Sequence, residues 1–137
     1  EMTLFRDRFR LAAREGSEHL GGRKPDARKL PADSVLLLED GHCLRNHAID
    51  ACRLRDPAKI ARFSATSLPT LLQMVDSDLG VTFLPEMAEG SPLLKSTRIR
   101  TWPLPEASYR EIGLAWRKGS ARGEEFRALG ELLAANR

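Results

Sequence analysis

Val35-Leu36-Leu37-Leu38-Glu39-Asp40-Gly41-His42-Cys43-Leu44-Arg45-Asn46-His47-Ala48-Ile49-Asp50-Ala51-Cys52 holds both cysteines of this chain, and its reading decides the fold. Val35 to Leu38 is a short apolar run of the kind a buried strand needs, and Asp40-Gly41 is a turn signal that ends it. A helix follows. Asp40 is its expected N-cap, with Gly41, His42 and Cys43 as the first three helical residues. Cys43 then sits at the positive end of the helix dipole, where thiolate is favoured over thiol, and His42 and Arg45 add positive charge nearby. Cys43 is the expected reactive atom. Cys52 follows nine positions later. On a continuous helix that is about 13–14 Å along the axis, whereas a disulfide needs Cα atoms about 4.4–6.8 Å apart. If the two sulfurs pair, the segment between them must unwind. Two other readings stand beside this one. Two cysteines in one domain are often inert and buried. Cys43 and His47 also share a helix face, with His42 adjacent, as metal ligands can, but no second cysteine pair completes a tetrahedral set, so no metal is expected.

The run Leu38-Glu39-Asp40-Gly41-His42-Cys43-Leu44-Arg45, with its second cysteine at Cys52, closely resembles the redox segment of the OxyR branch of LysR-type transcription regulators. Ala65-Thr66-Ser67-Leu68, Gly80-Val81-Thr82-Phe83-Leu84-Pro85 and Ile112-Gly113-Leu114-Ala115-Trp116-Arg117-Lys118-Gly119-Ser120 resemble the same family in the same order, so the likeness covers most of the chain. It implies a two-lobed, periplasmic-binding-protein-like α/β regulatory domain, represented by the second lobe and the returning part of the first. Residues 1–31 would be strand and connector of the first lobe and hinge, 32–104 the second lobe with the redox helix, and 105–137 the return strand and a last helix packed on the first lobe. The DNA-binding domain such regulators carry at the N-terminus is not in this sequence, so the chain reads as the C-terminal part of a longer regulator. The resemblance further implies that Cys43 is the peroxidatic cysteine and Cys52 its resolving partner. His42, Arg45 and Arg117 would form the supporting polar shell, and Thr66 and Ser67 would line the site. The implied partners are hydrogen peroxide, further copies of the chain in a dimer or tetramer, thiol reductants of thioredoxin or glutaredoxin type, and, through the full-length protein only, DNA and RNA polymerase. No cofactor is implied. Asn46 departs from the aspartate frequent in the family, which removes a like charge from the neighbourhood of the Cys43 thiolate.

The bounds agree with one domain's worth of chain. Its 137 residues are 42% apolar and 30% charged, enough for a real core and ordinary for a globular protein. No run of about 18 apolar residues occurs and Glu1-Met2-Thr3-Leu4 lacks a signal-peptide pattern, which implies a cytoplasmic protein without membrane association. The net charge of +3 is spread among interleaved acids, which argues against a nucleic-acid face. Enzyme readings fare poorly too, because paired carboxylates, a Ser/His/Asp order and a phosphate loop are all missing.

Along the chain, residues 5–14 alternate as a half-buried strand, expected at a sheet edge or crossover, and 15–31 read as a mobile connector in which His19 has no assigned role. Residues 60–65 alternate as a strand. Ser67 is the expected N-cap of a helix with Pro69 in its first turn and an apolar period at Leu68, Leu71, Leu72 and Val75. Such a helix start can hold an anion or a peroxide oxygen through Thr66 and Ser67, or those residues can simply cap it. Residues 81–85 are a buried strand, 86–89 a short turn, 97–104 an edge strand carrying Trp102, and 109–116 a further strand. Residues 122–135 form a last helix with Phe126, Leu129, Leu132 and Leu133 in one stripe. A second class of function remains beside redox sensing. The chain can be the organic-anion-binding lobe of an ordinary LysR-type regulator or solute-binding protein, with Thr66 and Ser67 at the ligand and the cysteines incidental. The Gly-His-Cys-Leu-Arg segment and its second cysteine separate the two readings and favour the first.

Overall fold

The computed structural model describes residues 1–21, 25–105 and 107–136. The chain forms two compact units, Arg8–Tyr109 and a smaller one made of Glu1–Asp7 with Arg110–Arg137. Strand β1, Met2–Arg14, contributes to both.

In the larger unit β1 pairs antiparallel with β2, Thr82–Pro85, through Phe9↔Pro85 to Ala12↔Thr82. On its other side it pairs antiparallel with β3, Ile99–Pro103, through Arg10↔Pro103 to Arg14↔Ile99. β1 is therefore central in this sheet and runs through both units, as a crossover does, rather than lying at an edge. The reason lies in Phe9, Leu11, Ala12 and Ala13, all buried: after Leu11 the alternation gives way to two small residues, so both faces can be covered. A parallel layer adjoins this sheet, with Val35 bridged to both Ile60 and Val81 and Leu38 bridged to Ala65. The expected strands at 35–38 and 60–65 thus meet as isolated bridges. Gly80 is required at this junction, because a Cβ there would run into the Ser34 carbonyl oxygen and the Leu36 side chain.

Two nine-residue helices follow the parallel segments. They are α1, Cys43–Ala51, and α2, Leu68–Asp76. Ser67 caps α2 as expected, its hydroxyl accepting the Thr70 N–H at 3.3 Å, and Leu71, Leu72 and Val75 are buried beneath it. At about 1.5–3 kcal/mol for each large aliphatic side chain removed from water, that face holds α2 firmly. A short helix α3, Pro92–Lys95, precedes β3 and was not expected from the sequence.

The connector is tied down rather than mobile in its described parts. The Ser17 hydroxyl donates to an Asp78 carboxylate oxygen at 2.5 Å, and His19 Nε2 meets the Asp78 backbone oxygen at 3.0 Å. His19 thus has a structural role. Asp26 caps the turn Ala27–Lys29, Leu30 is buried, and Lys59 Nζ donates to the Arg28 carbonyl at 2.5 Å. Gly22, part of the expected connector, lies outside the described residues.

In the smaller unit β4, Tyr109–Leu114, pairs with β1, and Gly113 admits the Met2 carbonyl where a Cβ would collide with it. Asp7 is fully buried and ion-paired to Arg110, with Nη2 at 2.9 Å. The last helix, α4, covers Gly123–Ala135; Trp116 stacks near Phe126 with ring centroids 6.0 Å apart, while Leu129, Leu132 and Leu133 are exposed.

Candidate functional site

α1 carries both cysteines, one at each end. Its start differs from the expectation by two residues. Gly41 has φ 98°, a left-handed conformation that cannot begin a right-handed helix, so Asp40-Gly41 turns the chain and His42 becomes the N-cap. The turn is closed by the His42 N–H donating to the Glu39 carbonyl at 3.3 Å. Cys43 is consequently the first helical residue, exposed, with the open N–H groups of the first turn around it. No side chain caps this end, and Asp40 serves elsewhere. Its carboxylate pairs with Arg45 Nε at 2.8 Å, while Arg45 Nη1 donates to the Leu38 carbonyl at 2.9 Å. Arg45 therefore clamps strand end and turn together beneath Cys43, with its side chain 19% exposed.

Cys52 occupies the other end as C-cap, its N–H donating to the Ala48 carbonyl at 3.0 Å. The next residue, Arg53, has φ 52°, and the chain closes the helix with Arg53 N–H to Asp50 at 3.3 Å and Leu54 N–H to Ile49 at 3.0 Å. This termination ordinarily uses glycine. Arginine in that conformation costs about 1 kcal/mol, offset by Ile49 and Leu54, which pack on the core on either side of it. The cations Arg53 and Arg55 with Pro57 just past them mark this helix end in the sequence, and the Ile49/Leu54 pair five residues apart fixes its closing turn. Cys52 itself packs against the core cluster of Phe9, Leu11 and Val35, and burial pushes its thiol up to about 12. Its neutral form is favoured where it stands. Both cysteines are free thiols, and the helix between them separates their Cα atoms by roughly 13 Å.

Thr66 and Ser67 follow the neighbouring strand end. The Glu39 N–H donates to the Ala65 carbonyl at 3.0 Å, so the leads into α1 and α2 lie side by side. Ser67 spends its hydroxyl on the Thr70 N–H and meets the Thr70 hydroxyl at 3.0 Å, while Thr66 is exposed. Asn46 and His47 are exposed on α1. Arg117 lies in the smaller unit, apart in sequence and unit from the residues above. Among the described residues no three His, Cys, Asp or Glu side chains are grouped to hold a metal, and no helix is long and apolar enough to cross a membrane.

Residues 2–137 match the family of LysR substrate binding domains. The chain belongs to that family. Its fold is accordingly the periplasmic-binding-protein-like α/β regulatory domain of LysR type. A probable hydrogen peroxide-inducible genes activator of Streptomyces viridosporus is 40% identical over 97% of this chain and 43% of its own length. The HTH-type transcriptional regulator EstR of Acinetobacter baylyi is 38% identical over 76% of this chain and 35% of its own. The reduced form of the OxyR2 regulatory domain from Vibrio vulnificus superposes with a TM-score of 0.85, at 42% identity over 97% of this chain and 63% of that one. The chain thus spans less than half the length of these two curated relatives.

Proposed function

We propose that the chain is the redox-sensing regulatory part of a LysR-type transcription regulator and that Cys43 is its peroxide-reactive atom. The observation that carries this is the asymmetry of α1: an exposed thiol at the first helical position and a half-buried thiol, favoured in its neutral form, at the C-cap. The Cys43 thiolate attacks one oxygen of hydrogen peroxide; an S–O bond forms, the O–O bond breaks, and the departing hydroxide takes a proton to leave as water. The Cys52 sulfur then attacks the sulfenic sulfur, forming S–S and breaking S–O, and the thiol proton leaves with the hydroxide as a second water. Peroxide gains two electrons and the two thiols lose them. Because Cys52 is half-buried and about 13 Å from Cys43 along the helix, the second step waits on the unwinding of α1. That unwinding is the signal.

His42 and Arg45 belong to this site through the turn they build, and Asn46 leaves the Cys43 thiolate without an adjacent carboxylate. Thr66 and the cap residue Ser67 of the neighbouring helix start are assigned to the peroxide-facing side. The larger unit, which takes in the expected second lobe at 32–104 together with residues 8–31 and 105–109, is assigned to that lobe, and residues 1–7 with 110–137 to the returning part of the first. In the whole regulator the rearranged α1 would alter packing between copies in a dimer or tetramer, and thereby DNA engagement and contact with RNA polymerase, with reset by thioredoxin- or glutaredoxin-type reductants in the cytoplasm. Peroxide consumed here is a signal, not turnover, and the chain is not an enzyme. The use of the Ser67 hydroxyl within its own helix weakens the alternative of an organic anion held by Thr66 and Ser67.

The test is thiol titration with one equivalent of peroxide. Cys43 is expected to react far faster than Cys52, Cys43→Ser to abolish the response, and Cys52→Ser to react once and stall as a sulfenic or over-oxidised species. Equal slow rates at the two positions would end the redox reading.

A further inference from the structure

Cys52 borders a cavity of about 900 Å³ that the redox chemistry does not use. It lies wholly within the larger unit, between the end of α1, the turns Ala27–Lys29 and Pro57–Lys59, and the segment after β3. Its size is that of a small-molecule site. Among its described lining residues Leu54, Pro103 and Leu104 supply apolar wall, and four cationic side chains, Arg28, Arg53, Arg55 and Lys59, stand against two carboxylates, Asp26 and Asp56.

Both carboxylates are already engaged. Asp26 takes two hydrogen bonds from the Arg28 side chain, at 3.1 and 3.0 Å, and that guanidinium holds its carboxyl down at about 2. Asp56 accepts the Ala58 N–H at 3.0 Å. Lys59 is held on the Arg28 carbonyl. Among the described residues, the guanidinium groups of Arg53 and Arg55 have no ion-pair or hydrogen-bond partner. Arg53 is moreover fixed in a left-handed conformation at the cavity's edge, which sets the direction in which its side chain leaves the backbone. Two free planar cations beside an apolar wall fit an anion with an apolar body, since guanidinium binds carboxylate bidentately while the wall covers the remainder.

We infer that this cavity binds an amphiphilic organic carboxylate, seated on Arg53 and Arg55 against Leu54 and Cys52. Such a ligand would hold the last turn of α1 in place. Its regulatory meaning rests on the redox reading above: because Cys52 must leave this wall to reach Cys43, an occupied cavity would slow disulfide formation, so that the peroxide response answers to an organic anion as well.

Titration of the Cys43→Ser chain with 2-naphthoate, and with its uncharged carboxamide as control, tests the site without any redox step. The expected result is saturable binding of the carboxylate, weaker by at least about tenfold for the carboxamide and for Arg53→Asn/Arg55→Gln, asparagine being chosen because it tolerates the left-handed conformation. The single Arg55→Gln variant leaves that backbone position untouched and should show an intermediate loss. Alkylation of Cys52, the sole remaining thiol, should slow by about threefold at twice the dissociation constant, as the free fraction falls to a third. Equal binding of carboxylate and carboxamide, indifference to both variants, or unslowed alkylation would overturn the site. In the wild-type chain peroxide-driven disulfide formation should slow by the same factor, and an unchanged rate would overturn the coupling. A wild-type chain that forms no disulfide would instead overturn the redox reading, with the site judged by the titration alone.

Discussion

α1 and α2 have the same length, both follow a parallel-bridged segment, and both end on a non-glycine residue in the left-handed conformation, Arg53 after α1 and Asp78 after α2. They differ in how they are held. α2 starts on a serine cap with a proline in its first turn and buries three large aliphatic residues; α1 starts on an uncapped histidine and fully buries only Ala48. Asp78 is fixed by Ser17 and by the Glu18 N–H, whereas Arg53 has no side-chain bond among the described residues. One topology thus carries a helix built to stay and a helix built to go. The sequence places its cysteines on the second kind.

The largest expected effect tests the burial of Cys52. Its folded thiol titrates at about 12, above the ordinary thiol value, so the fold is favoured by a neutral Cys52 below about pH 9 and loses that contribution as pH rises toward 12. Between pH 8 and 11 the wild type should lose up to about 3 kcal/mol more stability than Cys52→Ala, read by urea denaturation at each pH. Parallel curves would show that Cys52 is hydrated and the asymmetry of α1 overstated.

Next comes the anchoring face of α2. Leu72→Ala should cost about 3 kcal/mol and lower the melting temperature, against about 1 kcal/mol for Ala48→Gly in α1. Comparable costs would break the contrast. A third prediction concerns the end of α1: Arg53→Gly relieves the left-handed strain and should stabilise the reduced chain by about 0.5–1 kcal/mol and slow Cys43–Cys52 disulfide formation. Faster disulfide formation would mean that Arg53 restrains α1 rather than straining it. The smallest effect is expected at the start of α1, where His42→Ala should cost close to nothing against about 1 kcal/mol for Ser67→Ala at the start of α2, measured by thermal melting.

How much of this was legible in the residues depends on how local its cause is. α2 could be read because cap, proline and apolar period all lie within its own few residues, and α4 because its apolar period does. The start of α1 was misplaced by two residues because Asp40-Gly41 supports both a cap and a turn, and only the clamp from Arg45 to the Leu38 carbonyl decides between them. The central place of β1 depends on β2 and β3, about 70 to 90 residues away in sequence, which no local pattern reveals. The tie of Ser17 and His19 to Asp78 was hidden for the same reason, in a stretch whose glycines and prolines read as a free loop. At the site, the reactive position of Cys43 was readable from its segment, whereas the burial of Cys52 and the cavity beside it come from distant segments that meet only in the fold.

The bridge between Leu38 and Ala65, with the Glu39 N–H on the Ala65 carbonyl, lies outside α1. In the proposed switch this seam survives when α1 unwinds, and the rewinding helix finds its first residues already anchored in register. Helix formation then takes about a microsecond, while thiol–disulfide exchange takes seconds or longer. How long the molecule remembers an encounter with peroxide is thereby handed over to the supply of reductant: the fold keeps no clock of its own.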